Sequence, residues 1–253
     1  MSTYLLVHGA FHGGWVWQRV TPLLEAAGHR VLAPSLVGLG ERAPLLGPDV
    51  GLDTHVDDLA ELVVAEDLRE MILVGHSYAG IVVTALADRL PRRIAHLVYV
   101  DTFVPRDGES VADIMPQMVA AFAAAAEATG EGWRVPPVTE PMGDGGLNGV
   151  TEEPDLSWLA SMLTAQSLKT FQQPLTLRNP DELALIPVTH IHCSEGGEDF
   201  KAMRAAMPRT LPPADLPADR LKILPTGHDC MLTMPDEFAT LLGELAAQRA
   251  PAS

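Results

Sequence analysis

Met71-Ile-Leu-Val-Gly-His-Ser-Tyr-Ala-Gly80 sets one serine between an apolar run and a pair of small residues, and the chain goes on as Ile81-Val-Val-Thr-Ala-Leu-Ala-Asp-Arg-Leu90. The first run has the length and side chains of a buried parallel strand, and the second has helical spacing. A strand that turns at once into a helix is the unit from which open α/β sheets are built. Ser77 falls on the turn, at the carboxyl end of the strand. It is either an ordinary helix cap or an exposed hydroxyl placed for attack.

The surroundings repeat the unit. Apolar runs at 4–8, 29–33, 71–75, 94–100, 188–193 and 221–224 alternate with amphipathic stretches at 15–27, 53–66, 78–90, 198–207 and 235–248. This predicts about six mainly parallel strands with helices on both faces. Between Val104 and Leu183 no strand pattern is found. A structureless loop of that length is implausible in a compact domain. The segment 104–183 is therefore read as an inserted helical cap, with helices at 111–128 and 155–168, on a core formed by 1–103 and 184–253. Met115, Met118, Phe122, Trp158 and Met162 line a pocket or form the cap's own core.

Composition narrows the function. The chain has 253 residues, 47% hydrophobic and 20% charged, enough for one sizeable core. Seventeen Lys and Arg against 33 Asp and Glu give a net charge of −16, which disfavours nucleic acid and anionic membranes as partners. No run is long and apolar enough to span a bilayer. With no secretion signal at the start and only Cys193 and Cys230, a reduced cytoplasmic protein is expected. A homodimer is compatible with the sequence.

A serine hydroxyl needs a base before it attacks a carbonyl. His228, in Pro225-Thr-Gly-His-Asp-Cys-Met-Leu, follows the last strand and is carried to the same end of the sheet. Donors for an oxyanion are offered by the turn His8-Gly-Ala-Phe-His-Gly-Gly14: the N–H of Ala10 or Phe11, together with that of Tyr78. The turn lacks the Lys-Ser/Thr and the glycine spacing of nucleotide loops, and no motif asks for a cofactor. Phe11 and His12 are candidate substrate contacts, His12 equally a support for its own loop. His190 and His192 share a strand face, but no further ligand pair completes a metal site. His76 is given a packing role under the turn.

The runs LLVHGAFHGGWVW, LVGHSYAG, LVYVDTFVP and GHDCMLTMPDEF, in this order, resemble the α/β-hydrolase superfamily, most closely the plant methylesterase and hydroxynitrile lyase group and its bacterial esterase relatives. The resemblance implies a sheet ordered 2-1-3-4-5-6, Ser77 as nucleophile, His228 as base, and an oxyanion hole from the Ala10 and Tyr78 N–H groups. It also implies a small hydrophobic ester as substrate. Hydroxynitrile lyases of the group carry lysine after the histidine and threonine at position 9. Here Asp229 and Gly9 stand there, and both point to hydrolysis, Asp229 by its charge near a departing anion. A lyase or cyclase using the same Ser/His pair, and a non-catalytic small-molecule receptor, are the alternatives.

The third member of a triad is less plain. Relatives carry its aspartate after the fifth strand, but Cys193-Ser-Glu-Gly-Gly-Glu-Asp-Phe200 puts Gly196 and Gly197 in that place. Asp101, directly after the fourth strand, is ranked first, and Glu198, then Glu195, stand behind it. The competing role for Asp101 is a cap on the backbone of the loop that follows.

Overall fold

The computed structural model describes residues 1–129, 131–212 and 216–248. Its strands are β1 (Thr3–Val7), β2 (Arg30–Leu32), β3 (Met71–His76), β4 (Ile94–Val100), β5 (Arg134–Val135), β6 (Gln166–Ser167), β7 (Val188–Cys193) and β8 (Leu221–Leu224). The helices are α1 (Thr21–Ala26), α2 (Leu52–Ala65), α3 (Ala79–Arg89), α4 (Val111–Ile114), α5 (Pro116–Ala128), α6 (Asp155–Met162), α7 (Lys169–Gln172), α8 (Pro180–Leu183), α9 (Gly197–Ala205), α10 (Cys230–Thr233) and α11 (Pro235–Gln248).

One sheet runs β2-β1-β3-β4-β7-β8 with every pair parallel, the order expected for six strands. The central strands are apolar along most of their length because helices cover both faces. Tyr4, Leu5, Leu6, Ile72, Leu73, Val74 and Val98 are all fully buried. The chain order reverses between β1 and β3, which leaves a crevice at their carboxyl ends, where open α/β sheets bind ligands.

Three expected helices differ from the sequence reading. The helix expected at 15–27 is a short 3-10 turn over Gly14–Trp17 followed by α1, because Pro22 has no N–H to give the Gln18 carbonyl and its ring would crowd it. The helix expected at 111–128 breaks into α4 and α5 at Pro116 for the same reason. The helix expected at 155–168 stops at Met162. Gln166 and Ser167 then pair antiparallel with Val135 and Arg134, a two-stranded ribbon in a segment where no strand was expected. Between β4 and β7 the described residues thus build five helices and this ribbon.

Candidate active site

Ser77 and Asp101 are the first residues past β3 and β4, which pair in register through His76 and Val100. Both leave their strands in the left-handed region, with φ of 54° and 46°. The Ser77 N–H still donates to the Val100 carbonyl at 3.1 Å, and the Asp101 N–H to that of Ile191 at 2.7 Å. The two turns are therefore fixed by the sheet itself, side by side. The turn after β3 is tight because α3 packs close: a Cβ on Gly75 would lie 2.6 Å from a Val83 methyl carbon. Thr102 Oγ1 donates to the Ser77 carbonyl and ties the two strand ends together.

The histidine arrives from the other end of the chain. His228 Nδ1 lies 2.6 Å from Asp101 Oδ2. That contact engages Nδ1 as a donor and leaves Nε2 free for a partner on the cavity side. The backbone on either side of His228 is held. Its carbonyl accepts from His76 Nε2 at 3.0 Å, and the Asp229 N–H donates to the Asn148 carbonyl at 2.8 Å. His76 therefore has a positioning part, and burial, with repulsion from His228, pushes it down to about 3 and keeps it neutral.

Asp101 is almost wholly buried, and burial alone would raise its pKa. Hydrogen bonds from His192 and His228 and the charges of His228 and Arg204 outweigh burial and hold the carboxyl well below the ordinary carboxylate range. The Cys193 N–H donates to Oδ1 at 3.0 Å, and an Arg204 N–H donates to Oδ2. The backbone that Asp101 bonds is thus that of β7, not the loop after it. Glu195 and Glu198 both turn outward to Lys201, at 3.5 and 3.3 Å. Arg204 drew no notice in the sequence. A lone arginine on an amphipathic helix reads as a solvated charge, and only the fold shows it facing a buried acid.

The turn after β1 lies across the crevice. The Phe11 N–H is taken by Gln166 Oε1 at 2.9 Å. Among the described residues no protein acceptor takes the N–H of Ala10 or of Tyr78, and both residues line the cavity. The Tyr78 hydroxyl is anchored beneath, 3.0 Å from His55 Nδ1. His12 touches the cavity wall, but its Nδ1 lies 2.6 Å from the Ala10 carbonyl and its Nε2 lies 3.1 Å from Asp229 Oδ2. Both nitrogens face acceptors, so the imidazolium is the form that satisfies them. Burial opposes that charge, and Asp229 outweighs burial to raise His12. Asp229 is fully buried in this pair and is not part of the cavity wall. The expected effect of its charge on a leaving anion is offset: the carboxylate pairs with His12, which stands between it and the cavity as part of that wall. At position 9, a Cβ would lie 3.0 Å from Ser77 Cβ and from His76 Nδ1, so little room exists for a larger residue.

Ser77, Asp101 and His228 open on one cavity of about 340 Å³. Its wall is mainly apolar: Phe11, Phe122 and Phe171 form a cluster with ring centroids 5.1–6.0 Å apart, and Met115, Met118, Met203 and Met207 fill between. Of the cap residues singled out in the sequence, Met115, Met118 and Phe122 reach the cavity. Trp158 and Met162 do not line it, and Trp158 packs edge-on against Trp15 at 5.2 Å. His190 stacks on Tyr99 at 5.2 Å, while His192 lies 3.4 Å from Asp101 Oδ1.

Residues 4–241 match the alpha/beta hydrolase family. The chain belongs to that family. A carbendazim hydrolyzing esterase of Nocardioides sp. (strain SG-4G) is 35% identical over 97% of this hydrolase and the whole of that protein. An alpha-hydroxynitrile lyase of Arabidopsis thaliana is 38% identical over 40% of each chain. Among solved structures, a methylesterase from Arabidopsis superposes with a TM-score of 0.71 at 20% identity, covering 98% of this hydrolase and 99% of that chain. These relatives are the group that the sequence motifs resemble.

Proposed function

We propose that the hydrolase is a carboxylesterase-type serine enzyme that cleaves a small hydrophobic or aromatic ester through an acyl-enzyme. The observation that carries this reading is the 2.6 Å contact between His228 Nδ1 and Asp101 in the cavity that also holds Ser77. His228 Nε2 takes the Ser77 proton as the hydroxyl attacks the acyl carbonyl, and the imidazolium then gives that proton to the departing alcohol. Asp101 holds the required tautomer and stabilises the imidazolium. The Ala10 and Tyr78 N–H groups receive the oxyanion, and water activated by His228 clears the acyl-enzyme. The phenylalanine cluster takes the apolar part of the ester, with residues 104–183 acting as cap. No hydroxyl stands at position 9, which favours hydrolysis over cyanohydrin cleavage. The two buried free thiols, Cys193 and Cys230, support a reducing cytoplasmic setting, and the relative from Nocardioides supports a bacterial source. The net charge of −16 supports a small-molecule partner rather than nucleic acid.

Ser77→Ala is expected to lower p-nitrophenyl ester turnover by roughly a thousandfold and to abolish labelling by a fluorophosphonate, with the fold intact. Turnover near that of the parent enzyme would sink the reading. Binding of the ester without turnover in the parent enzyme would make the chain a receptor instead.

A further inference from the structure

Asp101 accepts from two side chains through one oxygen. Oδ2 accepts from His228 Nδ1 and from Arg204 Nη2, while Oδ1 accepts from the Cys193 N–H and lies 3.4 Å from His192 Nδ1. Arg204 comes from α9, the helix that follows the two glycines where the third triad member was first sought. Its guanidinium is about nine-tenths buried. A second N–H donates to the Cys193 carbonyl, and Cζ sits 4.8 Å over the Phe200 ring, so the group has one orientation. Among the described residues it is the only arginine or lysine that lines the cavity.

The other groups facing the His228–Asp101 pair do not duplicate that charge. His76, from β3, is buried and neutral; Asp229, beside His228, is neutralised by His12 from the turn after β1. His192 faces Asp101 from β7, and the neighbouring Cys230 thiol, with burial, pushes the Cys193 thiol up. Arg204 is therefore the one permanent cation that shares the carboxylate with His228.

We infer that Arg204 is a positioning residue of the acid–base pair: it fixes the Asp101 carboxylate from α9 and lowers the pH at which His228 becomes an effective base. A carboxylate stabilises an imidazolium by its negative charge. A guanidinium bound to the same oxygen cancels part of that charge, so the imidazolium surrenders its proton at lower pH. Removing the charge has the opposite sign, and the acid limb of the kcat/KM profile moves to higher pH. A residue that merely held the fold would lower activity at every pH and leave the limb where it is.

The inference rests on Ser77, His228 and Asp101 acting together, and the two fail separately. Turnover that survives Ser77→Ala removes the mechanism and the inference with it. A dead Ser77→Ala enzyme with an unmoved limb in folded Arg204 variants removes only the inference. The experiment is the pH dependence of kcat/KM for Arg204→Met, Arg204→Gln and Arg204→Lys, with thermal melts as the control for folding. Met and Gln lack the charge, and their limb is expected about one pH unit higher, the lower end of the range for a close charge. Gln keeps a donor to Asp101, so it should move the limb like Met while retaining more of the plateau rate. Lys keeps the charge and should stay near the parent. A limb unchanged in folded Met and Gln variants overturns the inference, as does failure of both to fold, which would make Arg204 a requirement of the fold alone.

Discussion

At the scale of single residues, the site depends on two side chains that leave neighbouring strands with positive φ. A non-glycine residue in that region costs about 1 kcal/mol or more, and Asn and Asp tolerate it better than most. Asp101→Asn therefore keeps the backbone turn at φ 46° but takes the counter-charge from the buried Arg204. The amide favours the wrong histidine tautomer, so kcat should fall by orders of magnitude in protein that still folds, with a lowered melting temperature from the unpaired guanidinium. Glu198→Gln, whose parent carboxylate faces Lys201, should leave kcat where it was. The reverse result would return the acid to the loop after β7. Ser77, His228 and Asp101 were legible because each closes an apolar strand or follows one at a glycine turn. The turn of Asp229 toward His12 was not, since a residue's neighbour in sequence says nothing about which face of a helix start it takes. Arg204 was hidden for the related reason that its partner lies 103 positions away.

At the scale of elements, the central strands β1, β3 and β4 were legible because near-complete burial writes itself as long apolar runs. The helices over the crevice were less so. Proline divides α4 from α5 at 116, and the short β5–β6 ribbon has two residues per strand, too few for any alternation to show. The join between this upper layer and the histidine turn was also invisible. There Gly149, at φ 88°, packs on Gly227 so closely that a Cβ would stand 2.3 Å from the Gly227 Cα. The neighbouring Asn148 carbonyl accepts the Asp229 N–H, so the same loop sets the height of His228. Gly149→Ala should push the histidine turn away from Ser77. The expected result is a loss of kcat of about tenfold or more, larger than a misplacement elsewhere on the surface would give. Parent-like kcat in Gly149→Ala would mean that the turn tolerates displacement at this join.

At the scale of the whole molecule, the hydrolase keeps four buried histidines neutral among the described residues. Burial pushes His8 and His76 down to about 3 and His55 and His190 to about 4. An unfolded chain takes up these protons below about pH 6.5, and the folded one refuses them until near those values. The unfolded state thus binds more protons, and stability falls as pH drops from 6.5 toward 4, by about 1.4 kcal/mol per pH unit for each histidine. His12, raised by Asp229, holds its proton in both states over that window and does not offset the loss. Urea midpoints at pH 7.5, 6.5, 5.5 and 4.5 should decline steeply over the last three. A flat series would mean that the histidines gain compensating partners. Asp101 precedes the layer over the crevice instead of following it, so the whole acid–base pair stays with the sheet when that layer is exchanged. A chimera joined after Phe103 and before Pro187 would carry its proton relay intact into any borrowed roof. The graft would need to restore the Asn148 carbonyl above the histidine turn and the Gln166 side chain that takes the Phe11 N–H.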